Sequence, residues 1–125
     1  METPKRYLCI CSMGRNRSPT AVEVLYELAE ERKTEVYAEP YGIRNKKHYM
    51  TSSRVESFDY VLVMDILTKW KVENACDIPE DRVVNLNVPD NYDVKIPTQR
   101  KNLRRILRRR LEKLMGWLFT IITNI

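Results

Sequence analysis

The sequence predicts an α/β fold of three layers, α/β/α, with helices on both faces of a four-stranded parallel sheet. Three observations carry this. Segments of strand length alternate with segments of helical apolar spacing along the 125 residues, the pattern of strand–helix–strand units. The runs Tyr7 to Ile10 and Tyr60 to Met64 are continuously apolar, as strands are when both faces are covered. The first of these runs passes through a short polar stretch, Cys11-Ser12-Met13-Gly14-Arg15-Asn16-Arg17-Ser18-Pro19, straight into a helical pattern. A chain of this length forms one domain, taken here as residues 1–125, around a single core.

The elements follow in order. Arg6 to Cys11 reads as a short buried strand. From Thr20, Ala21, Val22, Val24, Leu25, Leu28 and Ala29 recur at helical spacing, with Pro19 in the first turn, where a helix tolerates it; this helix fades near Lys33. Thr34 to Glu39 alternates as a strand, at a sheet edge because Pro40 follows, and 40–50 reads as a loop. Ser53 to Glu56 fits a capping box, which places a short helix over 52–57. Tyr60 to Met64 is the third strand. Asp65 then caps a helix running to Ala75, expected to pack through Ile66, Leu67 and Trp70. Asp77 to Asp81 turns the chain into a fourth strand over Arg82 to Val88. A basic helix over about 98–118 carries Leu103, Ile106, Leu107, Leu111, Leu114 and Leu118 on one side and leads into an apolar tail.

The stretch from Cys11 to Pro19 carries the chemistry. A strand, a tight loop and a helix N-terminus form a phosphate-binding geometry, because the first-turn N–H groups lack intrahelical partners and the dipole is positive there. The amides of Ser12, Met13, Gly14, Arg15, Asn16 and Arg17 can curl around an anion, and Gly14 permits the positive φ that the curl requires. The same environment favours a thiolate at Cys11, which makes it a nucleophile. Arg17 can hold two oxyanion oxygens with its planar fork. Ser18 can donate a hydrogen bond to the Cys11 sulfur, a role compatible with capping the helix.

This stretch, followed by Thr20-Ala21-Val22-Glu23, resembles the signature of the low-molecular-weight protein tyrosine phosphatases, in the short prokaryotic form that begins Cys-Ser and ends Arg-Ser-Pro-Thr. Leu86-Asn87-Val88-Pro89-Asp90-Asn91-Tyr92 resembles the strand and acidic loop of the same family, and the likeness spans residues 6 to about 115. It implies hydrolysis of phosphotyrosine or related aryl phosphate monoesters through a phosphocysteine. Asp90 would be the general acid, with Asp93 a rival, and Tyr92 would line the substrate cleft. No cofactor or metal is implied; phosphate and vanadate would inhibit. The chain departs from the family pattern at Asn16, where many eukaryotic members carry a second cysteine, and in reading Pro-Asp-Asn-Tyr at the acid loop.

Charge is uneven. Residues 95–113 hold nine of the 22 Lys and Arg and one of the 17 acidic residues, leaving a balance of −3 elsewhere. Arg104, Arg105, Arg108, Arg109 and Arg110 form either a solvated helix face, which is the expectation, or a stripe for nucleic acid or a membrane surface. The tail from Trp117 to Ile125 is far shorter than the ~20 apolar residues that span a bilayer. Three cysteines and no leader pattern at the start point to a reducing cytoplasm. Cys9 reads as a buried hydrophobe, Cys76 as a helix-end thiol without a redox partner, and His48 as exposed and inert. Tyr41, Tyr49 and Trp70 are either packing or cleft-lining aromatics.

Three other functions are compatible with parts of the chain. A thioredoxin-coupled arsenate reductase shares the loop but requires two further relay cysteines. A phosphotransferase-system carrier of the IIB type also stores phosphocysteine but does not require Arg17 and Ser18. A non-catalytic anion or nucleic-acid binding module explains the arginines, but not Cys11 together with Asp90.

Overall fold

A computed structural model describes residues 3–12, 16–43 and 51–123, with side chains as far as residue 116. Four parallel strands, β1 (Lys5–Cys11), β2 (Val36–Gly42), β3 (Tyr60–Val63) and β4 (Val83–Asn85), form one sheet in the order β2-β1-β3-β4. The helices are α1 (Arg17–Glu31), α2 (Ser52–Glu56), α3 (Ile66–Ala75) and α4 (Pro97–Thr123), with a 3-10 turn at Glu80–Arg82 before β4.

The period of two along β1 divides the core. Tyr7, Cys9 and Cys11 point into one cluster with Val24, Leu25 and Leu28 of α1 and Leu103, Leu107 and Leu111 of α4. Leu8 and Ile10 point to the opposite face, where Val55, Phe58, Val72 and Ile78 meet Val61 and Val63. Leu103, Leu107 and Leu111 are fully buried, each contributing about 1.5–3 kcal/mol by removal from water. Two covered faces explain why Tyr7 to Cys11 is buried without a break.

Several elements differ from the sequence reading. α1 starts at Arg17, so Ser18 lies inside the first turn and Asn16 is the capping position. β2 does not stop at Glu39: it runs through Pro40, opposite Cys9, to Gly42. An edge strand tolerates this, since a proline there need lose no ladder hydrogen bond. The cap of α2 is Thr51, whose side chain accepts from the Arg54 N–H, rather than Ser53. β4 is only three residues long, because Asn87 adopts a left-handed φ of 53° and its N–H bonds its neighbour Asn85 Oδ1 at 2.9 Å. Asparagine tolerates that conformation better than most residues.

Asp65 caps α3 as expected, yet Ile66, Leu67 and Trp70 do not pack the helix: they are 70%, 54% and 60% exposed. Thr68 and Val72 make its buried contact instead. α4 continues to Thr123, beyond the expected end near residue 118, and takes part of the apolar tail into the helix. No helix among the described residues is long and apolar enough to cross a membrane. Of the α4 arginines, Arg104 pairs with Glu23 and Glu27, and Arg108 with Glu31 and Glu112. Glu23, Glu27 and Glu31 recur every four residues along α1, so part of the basic stripe is a seam between two helices rather than a free surface.

Candidate active site

The carboxyl ends of β1 and β3 and the N-terminus of α1 converge on Cys11, which is 3% exposed. Its carbonyl accepts the Ile43 N–H at 2.9 Å, which fixes the end of β1 against the segment after β2. Its Sγ lies 3.2 Å from Ser18 Oγ, with either atom able to donate. Ser18 Oγ is also 3.3 Å from the Tyr41 carbonyl, to which it donates. The hydroxyl has one proton, so two arrangements are available. With a protonated sulfur, S–H donates to Ser18 and Ser18 to Tyr41; with a thiolate, the Ser18 proton turns to the sulfur.

Arg17 opens α1 with its side chain only 3% exposed. A buried guanidinium requires acceptors, and they come from three places. Nη1 donates to the Val88 carbonyl at 2.9 Å and to Asp65 Oδ2 at 3.2 Å, and Nε faces Asp90 Oδ1 at 3.6 Å. The left-handed residue Asn87 separates the two bonds that continue the β4 ladder, Leu86 N–H to Val63 at 2.8 Å and Val88 N–H to Met64 at 2.7 Å. Beyond that kink, the Val88 carbonyl and the Asp90 carboxylate both reach Arg17.

Asp65 belongs to this site, although in the sequence it reads only as a helix cap. One oxygen accepts the Thr68 N–H at 2.8 Å while the other holds Arg17. Burial pushes its carboxyl upward, but the Thr68 hydrogen bonds and the Arg17 guanidinium outweigh this and keep it below the usual aspartate range. The signal that locates it is register. Ile10 pairs with Val63, so Cys11 is level with Met64 and Asp65 stands one residue further, at the same sheet edge.

The rival aspartates differ in what they hold. Asp90 is 64% exposed and meets Arg17. Asp93 builds the turn into α4: its Oδ1 accepts the Lys95 N–H at 2.9 Å, its carbonyl accepts the Ile96 N–H at 3.0 Å, and its N–H donates to Gln99 Oε1 at 2.8 Å. Asn16 joins the two halves of the site, its Oδ1 accepting the Val94 N–H at 3.4 Å and its carbonyl accepting from the Thr20 hydroxyl at 2.7 Å.

Ser12 is half-buried beside Cys11; Met13, Gly14 and Arg15, like His48 and Tyr49, lie outside the described residues. Tyr92 packs its ring partly on the α1–α4 side of the core, and Tyr41 on the opposite side. The sheet therefore separates these two aromatics. Cys9, fully buried next to Cys11, has its thiol pushed up by desolvation and then by its neighbour Cys11. Cys76 is also pushed up, first by burial, and packs on the far face of the sheet from Cys11.

No family model matches the sequence, and no curated protein matches it. Solved structures do match. A low molecular weight protein tyrosine phosphatase from Bacillus subtilis superposes with a TM-score of 0.70 at 21% identity, covering 89% of this chain and 97% of that one. A protein tyrosine phosphatase from Entamoeba histolytica gives 0.73 at 14% identity, covering 93% and 96%. The tyrosine phosphatase Wzb from Escherichia coli K30, in complex with sulphate, gives 0.67 at 14% identity, covering 93% and 99%. At these identities the likeness is one of fold, and the fold is that expected from the loop and acid-loop motifs.

Proposed function

We propose that this chain is a cysteine-dependent phosphatase that hydrolyses phosphotyrosine or related aryl phosphate monoesters through a phosphocysteine. The observation that carries the reading is the convergence on Arg17: a thiol at the end of the strand before its loop, and a carboxylate 3.6 Å from the guanidinium itself. In this mechanism the Cys11 thiolate attacks phosphorus in line, forming the S–P bond as the P–O bond to the phenol breaks. Arg17 and the amides of the loop from Ser12 to Arg17 hold the equatorial oxygens, where transition-state charge is spread. Asp90 gives its proton to the departing phenolate, then takes one from the water that cleaves the S–P bond and returns the thiolate. Ser18 stabilises the sulfur anion, as nucleophile and as leaving group. Tyr92, two residues past Asp90, stands at the mouth of the cleft, and Tyr41 acts through its carbonyl. A reduced thiol is required throughout, which suits the cytoplasm.

The other readings lose support from particular residues. A disulfide relay from Cys11 has no route to Cys76 across the sheet, and Cys9 is buried with a raised thiol. A phosphocysteine carrier does not need a carboxylate beside its phosphoryl group, whereas hydrolysis does. A nucleic-acid module does not use Cys11 together with Asp90, and two arginines of its stripe, Arg104 and Arg108, are held by α1. The test is hydrolysis of p-nitrophenyl phosphate with a chelator present. Turnover inhibited by vanadate, and lost in Cys11→Ser with phosphate binding retained, is the expected result. No turnover by the wild-type chain, or turnover that survives Cys11→Ser, would reject the proposal.

A further inference from the structure

Between the acid loop and the first turns of α4 lies an open groove of about 470 Å3, lined by Val94, Lys95, Pro97, Arg100, Lys101 and Arg104. Four of the six are cations, and no acidic residue lines it. Pro97, Arg100, Lys101 and Arg104 follow the i, i+3, i+4, i+7 spacing of one helix face, while Leu103, Leu107 and Leu111 enter the core. Arg104 is tied to Glu23 and Glu27, whereas Lys95, Arg100 and Lys101 are exposed and take part in no ion pair among the described residues. Three uncompensated cations thus crowd the positive end of a 27-residue helix.

The position of the groove gives this charge a use. Val94, at its rim, donates to Asn16 Oδ1 at 3.4 Å, and Asn16 is the last residue of the loop between Cys11 and Arg17. Lys95 follows Asp90 by five residues. A polypeptide with a phosphotyrosine seated over Cys11 would therefore lay the residues beside that tyrosine along the groove. Val94 and Pro97 offer an apolar floor for side-chain stems, and the cations offer partners for their ends.

We propose that the groove selects phosphotyrosyl polypeptides carrying aspartate or glutamate next to the phosphorylated residue. The proposal rests on the phosphatase reading above and adds the class of its substrate. Nucleic acid is the competing occupant, since Arg105, Arg109 and Arg110 are exposed further along α4, but the position of the groove beside the loop between Cys11 and Arg17 favours the peptide.

The test compares two phosphotyrosyl peptides that differ only in flanking Glu or Gln, on the full chain and on the triple variant Lys95→Gln, Arg100→Gln, Lys101→Gln. p-Nitrophenyl phosphate reports the chemistry alone. The expected result is a kcat/KM preference for the Glu peptide of roughly tenfold at low salt, as three solvent-screened pairs would give. That preference disappears in the triple variant, while p-nitrophenyl phosphate turnover is unchanged. Equal turnover of the two peptides by a chain that hydrolyses p-nitrophenyl phosphate overturns the groove proposal and leaves the phosphatase reading standing. If no aryl phosphate is hydrolysed, the phosphatase reading fails, and the groove is decided by fluorescence anisotropy with the unphosphorylated Glu peptide. Binding weakened several-fold by the single exposed substitution Lys101→Glu supports it; equal binding by both chains, or tighter binding of a single-stranded oligonucleotide, overturns it.

Discussion

Asp65 is the residue whose replacement is most informative, because it performs two separable tasks. Asn at this position still caps α3, as Asn and Asp are comparable N-caps, but it removes the negative charge facing Arg17. Ala removes both. Breaking a fully buried pair costs about 3–5 kcal/mol, and this pair is weaker because Asp65 is about a third exposed and Val88 and Asp90 still face Arg17. The expectation for Asp65→Asn is therefore about 1–2 kcal/mol in urea unfolding, and for Asp65→Ala about 1 kcal/mol more. Mispositioning of the guanidinium by the same amount would lower kcat/KM roughly 5–30-fold. The pH dependence has a definite sign. The folded-state carboxyl is held below its ordinary value. Its stabilisation is thus complete above the unfolded aspartate pKa of about 4 and fades as pH falls through the lower folded value. The stability gap between wild type and Asp65→Asn should be constant from pH 5 to pH 7 and narrow below about pH 4. A variant as stable and as active as wild type at pH 7 would refute the view that Asp65 positions Arg17.

Three further outcomes follow from the same geometry. Iodoacetate near pH 6 should modify Cys11 well before Cys9 and Cys76, whose thiols are pushed up by burial, and phosphate should protect it; equal labelling of all three would contradict a phosphate site around Cys11. Asp90→Asn should slow phenyl phosphate far more than p-nitrophenyl phosphate, whose leaving group needs no proton, whereas Asp93→Asn, which keeps the Oδ1 acceptor and the backbone bonds of the turn, should leave the ratio of the two rates and the melting temperature near wild type. The reverse pattern would make Asp93 the acid. Leu107→Ala should cost about 2–5 kcal/mol and Trp70→Ala less than about 0.5 kcal/mol, as judged by urea unfolding, since one is fully buried and the other 60% exposed.

What was legible in the sequence was local. The strand from Tyr7 to Cys11 and the helix through Ala29 lie close in sequence, and the apolar pattern of each carries its own geometry. The place of Asp90 beside Arg17 was legible for a similar reason, since it stands two residues past an apolar strand. What was not legible depends on pairing between distant segments. Asp65 joins the site only through the register of β3 on β1, which no local pattern displays. Ile66, Leu67 and Trp70 looked like a packing face because they are apolar and helical in spacing, but the part of α3 turned to the sheet is that of Thr68 and Val72. Arg104 and Arg108 of α4 looked free because their partners, Glu23, Glu27 and Glu31, lie some 80 residues earlier on α1. β2 runs through Pro40 because the sheet leaves that edge unpaired, and this is a property of strand order.

The central claim is that Cys11 carries the phosphoryl group. The most direct measurement is mass spectrometry of the Cys11-containing peptide after an acid quench of the Asp90→Asn variant turning over p-nitrophenyl phosphate, where loss of the base that activates water lets the intermediate accumulate. One phosphoryl group on Cys11, absent from Cys9 and Cys76 and absent in Cys11→Ser, is the predicted result. Sustained release of p-nitrophenol with no phosphoryl group on Cys11 at any quench time would contradict the account.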